Sequence, residues 1–512
     1  MGARRLLSAG LVWLCAGVAV ALFLPGVALG ARGHVFGSSF GKEGSGAGEF
    51  KESSAVAVNE ATGDVYVVDR GNNRVERFSF DAATKRYVYE GQFNGGGTYE
   101  DLEAAETVKK TTPTGEGGRP DEGPTGAFSR PEGIAVDNSC VEQKLSEPAC
   151  RASDPSDGDV YVQSEGEFPY ATQGFPSVVD KFSPLGEYLG QITAKTAGLK
   201  GPLEDPGREF FSTINDVAVD SSGRVWLLAE PFPQESGEEV SARLYPFTNS
   251  SENTLAGSSI QPREDQSNEY GLAVASNGDF YIRKLFSTFT GSGAVYDVGS
   301  GGATLSEDVG GPRVTAVAPF GIAVEAGGDV YINEGSEVVR AHAGEAAEVE
   351  RFGAGHVEGG GLAVDSATGR VFVSDPAAGS VQVFEEEAPA VPGVKSESLA
   401  EVTDESATFT AEINPRSLAG EAATEYSFEY GVCGSVAVCA SSPYTQTVAL
   451  GTLAASFEVE GVRAHVLGLS AETAYHFRVV AHNGLGETVG AEEVFTTRGG
   501  GAFALPDGRQ WE

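Results

Sequence analysis

Along most of the chain, apolar and polar positions alternate in short runs that are broken every few residues by Gly, Asn, Asp or Ser. Residues 55–67, AVAVNEATGDVYV, hold an apolar run, a polar turn and a second run of β-branched and aromatic residues. Alternation with this period predicts half-buried strands. A turn of Gly and Asn predicts a hairpin, because both residues accept positive φ. The continuation to residue 78, VDRGNNRVERF, adds a polar loop and a third strand. The unit then recurs as GIAVD (133–137) with GDVYV (158–162), DVAVDSSGRVWLL (216–228), GLAVASNGDFYI (271–282), GIAVEAGGDVYI (321–332) and GLAVDSATGRVFV (361–373). Each copy is followed by a third strand: RVERF, VVDKF, ARLYPF, AVYDV, EVVRA and SVQVF. Such self-similarity is the sequence sign of a solenoid or a propeller.

Most copies supply a fourth strand, as in YVYEGQF (87–93) and EYLGQI (187–192), but the sixth runs straight into EEEAPAVPGV. At the other end HVFGSSF (34–40) stands alone. The expectation is that this N-terminal strand completes the sixth unit, which removes exposed strand edges. The pattern GIAVD-x-x-G-x-VYV-x-D-x-GNNRV-x-x-F resembles the NHL repeat, the blade unit of six-bladed β-propellers. The likeness is closest at Asp69-Arg70-Gly71-Asn72-Asn73-Arg74-Val75 and at residues 375–381, whereas copies two to four replace the GNNR loop. It covers residues 31–387 and implies an all-β fold with a six-bladed β-propeller. A fold of this kind hosts many activities, so function has to come from the residues.

Residues 388–394 read as an acidic, Pro-rich linker. Beyond it, ATFTAEI (407–413) and TEYSFEYG (424–431) alternate as strands. The stretch LGLSAETAYHFRVVAHNGLGE (467–487) resembles the E–F corner and F strand of a fibronectin type III module, through Leu469, Thr473, Tyr475, Phe477, Val479, Ala481, Asn483 and Gly486. The resemblance covers 395–498 and implies a C-terminal β-sandwich in which Tyr475 is the corner tyrosine. Residues 499–512 end in AFALPDGRQWE, turn chemistry with apolar flanks, which reads as the start of a further segment.

Composition narrows the partners. The chain has 512 residues with 69 Gly and a single Met, a mixture that suits a β-rich protein. Against 35 Lys and Arg stand 73 Asp and Glu, a formal charge of −38 that repels phosphate backbones and excludes nucleic acid. Arg4 and Arg5, an apolar run over 6–24 and the small residues Ala28 and Gly30 read as an export signal over 1–30. The run is nearly long enough to span a bilayer, so the segment is either cleaved or kept as an anchor, and membrane contact is expected only if it is kept. The expected location is secreted or on the surface of a bacterial cell. In that setting Cys140 with Cys150, and Cys433 with Cys439, read as two local disulfides.

In a propeller, the loops from strand two to three and from strand four to the next strand one share one face. The insertions 95–128, 164–177, 196–213, 230–240 and 283–293 fall there, which marks it as the expected binding face. Three of its loops contribute Phe168, Tyr170, Phe175, Phe232, Phe286 and Phe289, aromatics that suit a sugar or peptide unless each packs its own loop. His34, His342 and His356 do not occupy equivalent positions in the repeats, so a three-His zinc site is not expected, and His465, His476 and His482 lie in the second domain. DPSDGD (154–159) gathers Asp154, Asp157 and Asp159, a spacing that can hold Ca²⁺, in a chain full of acidic turns. No nucleophile elbow is read, and P-loop and HExxH patterns are absent from the sequence. The leading expectation is a non-catalytic binding or scaffold protein without a cofactor, taking a glycan, peptide or protein ligand. The alternatives are a lyase or lactonase using a channel-bound divalent cation, and a purely structural envelope protein.

Overall fold

The structure is a computed structural model describing residues 33–499. It leaves out residues 95–97, 100–127, 129, 144, 146–148, 151–153, 166–176, 195, 200–210, 232, 234–240, 251–252, 263–267, 286–291, 301–303, 307–308, 310–312, 315–320, 346–347 and 419–422. The expected export segment 1–30 and the tail 500–512 lie outside the described residues. What is described is nearly all β, built from antiparallel sheets. Among the described residues no helix is long and apolar enough to cross a membrane.

Six sheets follow in chain order, one from each copy of the repeat, with first strands Ser53–Asn59, Pro131–Val136, Thr213–Val219, Asn268–Val274, Ile322–Val324 and Leu362–Asp365. Each first strand lies beside the first strand of the next sheet, and the sixth returns to the first. The cycle is sealed by Gly33–Phe40, which pairs antiparallel with Ser380–Glu387 and supplies the outer strand of sheet six. Among the described residues sheet three has three strands, and the chain after Phe247 covers its outer edge through isolated bridges at Leu255 and Ile260.

One position explains how the sheets stack. The second residue of each second strand, or its third in sheets one and six, is Tyr66, Tyr161, Trp226, Tyr281, Tyr331 or Phe372, and all six are buried. Each packs into the core of the following sheet: Tyr66 sits among Ile134, Val136, Val160 and Phe182, and Phe372 among Val56, Val58, Val65 and Phe78. At the centre the first strands approach so closely that a Cβ on Gly321 would lie 2.1 Å from the Leu362 nitrogen, and one on Gly361 2.6 Å from the Ala55 Cα. The glycine that opens most copies of the repeat is therefore a requirement of the neck. Side chains tie neighbouring sheets at the same level: Gln163 donates to the Ile214 carbonyl at 2.6 Å, and Asn333 donates to the carbonyls of Gly359 and Gly360, both at 2.9 Å.

The GNNR loop of the first copy has a packing role. Asn73 adopts the left-handed region (φ 52°), which turns the chain into the third strand. Arg74, 5% exposed, donates to Asp69 at 2.7 Å, to Gln92 at 2.7 Å, and to the carbonyls of Gly46 and Glu49 at 2.8 and 2.6 Å. One guanidinium thus holds the segment that joins the sealing strand to sheet one. In the sixth copy Gly379 (φ 60°) takes the left-handed position and Ser380 replaces the arginine.

Beyond the cycle, two further sheets face each other. Gly393–Ala400, Ser406–Asn414 and Glu460–Leu467 form one; Thr424–Val432, Gln446–Leu453, Ala474–Asn483, Gly486–Val489 and Glu493–Thr496 form the other. Phe409, Phe428 and Phe477 are fully buried between them. The strand beginning at Gly393 starts inside the expected linker, because Gly393 and Val394 already pair with Asn414 and Ile413. The connection is also pinned: the Ala390 amide donates to the Arg416 carbonyl, and Asn483 donates to the Ala390 carbonyl at 2.7 Å. Glu458 accepts from the Gly353 amide at 2.9 Å, and the Phe457 ring lies against Gly33 of the sealing strand.

Truncating the stacking aromatic separates its two contributions. Tyr66→Ala should cost about 3–5 kcal/mol by emptying a core site. Tyr66→Phe, which loses the 2.8 Å hydrogen bond from the Tyr66 hydroxyl to the Pro184 carbonyl, should cost about 1 kcal/mol. Denaturant melts of the two variants check the ratio.

Candidate binding site

The turn between the first and second strands is short in five sheets and long in sheet two, where residues 137–159 intervene. Asn or Asp at the end of the first strand explains the short form: Asn59 accepts from the amides of Ala61 and Thr62, Asp220 from Ser222, and Asp365 from Ala367. Asp137 begins the long form in the same way, accepting from the Ser139 amide at 3.1 Å. The insertion then turns through Ser139–Glu142 and is closed by the Cys140–Cys150 disulfide. Both cysteine pairs expected from the sequence are bonded, Cys433–Cys439 being the second.

The insertion is braced against the sheets on either side of its own. Asn138 donates to the Val58 carbonyl and accepts from the Glu60 amide in sheet one, and Gln143 donates to the Ser221 carbonyl in sheet three. Asn249 of sheet three donates to both oxygens of Asp154, at 2.9 and 2.8 Å. Between the insertion and sheet one lies a cleft of about 540 Å³. Ala61, Thr62, Val141, Leu145, Pro155 and Pro184 line it, with Asp154 and Asp157 in its wall. It opens at the end of the cycle where the turns after the first strands gather, opposite the face that the long insertions single out in the sequence.

The three aspartates of DPSDGD are all described, and each has its own partner. Asp154 also accepts from the Ser139 hydroxyl and the Ser156 amide, Asp157 accepts from the Cys140 amide at 3.1 Å, and Asp159 pairs with Lys181 at 3.0 Å. The turn aims them apart, and their oxygens do not share one centre. Asp157 instead falls beside Cys140 and Cys150, whose sulfurs are consumed in the disulfide. Phe168, Tyr170, Phe175, Phe232, Phe286 and Phe289 lie outside the described residues. The ring histidines sit on outer strands and turns: His34 is fully buried against Glu350 at 2.8 Å, His342 pairs with Asp329 at 2.7 Å, and His356 stacks on Phe36.

Carboxylates crowd the cleft end of the cycle. Burial, followed by Glu60, Asp220 and Asp137, pushes the Glu142 carboxyl up to about 7. Burial and then the charge of Asp154 push Asp137 up to about 6. Glu60 is raised by burial and, to a lesser degree, by Asp365 and Glu325. Deeper in, Asp216 stands where other copies have Gly or Ala; burial pushes it up to about 7 although it accepts from the Val217 and Leu272 amides, both at 2.8 Å. Burial raises Asp180 of sheet two to about 7 as well, with Gln191 donating to it at 2.8 Å. The aspartate that replaces glycine was visible in DVAVD, whereas the burial of Asp137 and Glu142 depends on an insertion folded over three sheets.

No family model matches the chain, and no curated protein does. Among solved structures, a gluconolactonase from Xanthomonas campestris is similar at 13% identity and a TM-score of 0.37, over 70% of this chain and 100% of that one.

These raised carboxyls set the sign of the pH dependence. Folding favours their protonated forms, so the unfolded chain binds fewer protons between about pH 4 and pH 7. Stability should therefore fall as pH rises through that window and level off above it, by about 1.4 kcal/mol per pH unit for each fully coupled group. Asp180→Asn should flatten the fall by close to one proton, read from melting curves between pH 4.5 and 8.

Proposed function

We propose that the chain is an exported, non-catalytic binding protein, a six-bladed NHL-like propeller carrying a fibronectin type III-like module. The cyclic order of six repeat-derived sheets sealed by the N-terminal strand supports the first assignment. The three- and five-stranded faces of the second unit support the other, as does Tyr475, whose hydroxyl accepts from the Ser470 amide at 2.9 Å like a corner tyrosine. Two disulfides suit an oxidising location outside the cytoplasm, secreted or at the cell surface.

The observation that carries the binding reading is the disulfide-closed cleft. It joins an apolar lining to an acidic wall backed by Asp137, Glu142 and Glu60, on a chain of net charge −38. That combination favours an extended peptide or protein segment bearing basic side chains over a neutral glycan. Its frame is braced, so binding would not need a large rearrangement.

The enzyme reading, a lactonase or lyase with a divalent cation at the channel, draws on the same crowd of carboxylates. A lactone-hydrolysis assay with and without added calcium separates it from the binding reading. For the binding reading, Thr62→Arg and Leu145→Arg each place a cation in the cleft. Either should weaken capture of basic peptides at least 10-fold while leaving the melting temperature within about 2 °C. Peptide-array and calorimetric binding check this, and undiminished binding by both variants would rule the cleft out.

A further inference from the structure

Three sheets carry the same acid–base pair. Opposite the stacking tyrosine, the third strand offers Arg77 to Tyr66 in sheet one, Lys181 to Tyr161 in sheet two and Arg340 to Tyr331 in sheet five. Each base reaches the aspartate two residues before that tyrosine: Arg77 to Asp64 at 2.9 Å, Lys181 to Asp159 at 3.0 Å, Arg340 to Asp329 at 2.7 Å. The repeat thus builds a cation into one fixed place beside each acid.

Sheet four keeps the acid and the tyrosine but not the base. Asp279 precedes Tyr281 by two residues, and the residue opposite Tyr281 is Asp297. Asp297 is 5% exposed, its Oδ1 is buried with no hydrogen-bond partner among the described residues, and its Oδ2 accepts a long 3.5 Å bond from the Tyr281 hydroxyl. Asn277 orients Asp279 by donating to its Oδ2 at 2.7 Å. A Cβ at Gly344 would come within 2.9 Å of Asp297 Oδ2, so a glycine there leaves room beside that oxygen. A buried carboxylate facing another acid is costly without a positive charge between them.

We propose that the Asp279–Asp297 pair binds a divalent cation of the calcium class, in the place that sheets one, two and five give to a guanidinium or ammonium group. Two carboxylates and a hydroxyl are hard oxygen donors, and calcium tolerates the irregular, partly hydrated coordination that such a small set leaves. The closure of Asp297 from solvent favours a bare ion over a lysine reaching in from another molecule. The site is distinct from Asp154, Asp157 and Asp159 in sheet two.

The test uses the full mature chain stripped with EDTA. Calcium at about 100-fold its Kd should raise the melting temperature by roughly 4 °C. Terbium should show luminescence excited through tyrosine, which Tyr281 is placed to supply. Asp297→Asn should abolish both responses, and Asp297→Lys, which restores the pairing of the other sheets, should give a chain indifferent to calcium and to EDTA. If the lysine variant does not fold, the asparagine variant decides. A wild-type chain with neither response would overturn the proposal and leave an acid pair sharing a proton. Retention of both responses by Asp297→Asn would overturn it too, by placing the ion elsewhere.

Discussion

The ring depends on one contact made six times, a large aromatic from the second strand of one sheet buried in the core of the next. A sheet of three to five strands has two faces, and neither can stay in water when both carry Val, Phe and Tyr. The aromatic from Tyr66 to Phe372 gives each sheet a fixed seat on its neighbour. Because the contact runs always forward, from sheet n to sheet n + 1, it can be satisfied everywhere only if the sixth sheet meets the first. The glycine neck follows from the same geometry, since sheets seated this way bring their first strands to van der Waals contact at the centre.

Much of this was legible in the sequence because it rests on periodicity and local turn chemistry. The six copies, the hairpin turns and the sealing role of residues 34–40 all follow from strand patterning and from a missing fourth strand. Both disulfides followed from short spacing. What escaped depends on register and on distant neighbours. Asp297 is plain in AVYDV, yet its isolation is apparent only when it is set opposite Tyr281 and compared with Arg77, Lys181 and Arg340. The cleft was missed because loop length drew attention to the opposite face, where the loop aromatics lie outside the described residues. The single long turn of sheet two carried its signal in the cysteine pair, which the sequence reading treated as structure alone.

The departures from the repeat are not scattered evenly. GNNR, the most recognisable motif, turns out to be internal carpentry: Arg74 is spent on carbonyls of the segment that enters sheet one. The unusual positions are acids that stand where another copy has a glycine or a base, Asp216 and Asp297, and a turn that gained a braced loop. In a repeat protein a substitution can be judged against its own siblings in the same chain, so the ring supplies its own controls.

The strand that seals the ring has a consequence for how the protein is made. Gly33–Phe40 emerges first during synthesis, but its partner, Ser380–Glu387, emerges after every other strand of the ring. The circle therefore cannot close until the sixth sheet is complete, and the search for that pairing involves contacts of the longest sequence separation, which slows folding. Until then the chain is an open arc with two unpaired edges. A last step that needs both ends of the ring therefore sets the moment at which its sheets stop being an arc and become a circle.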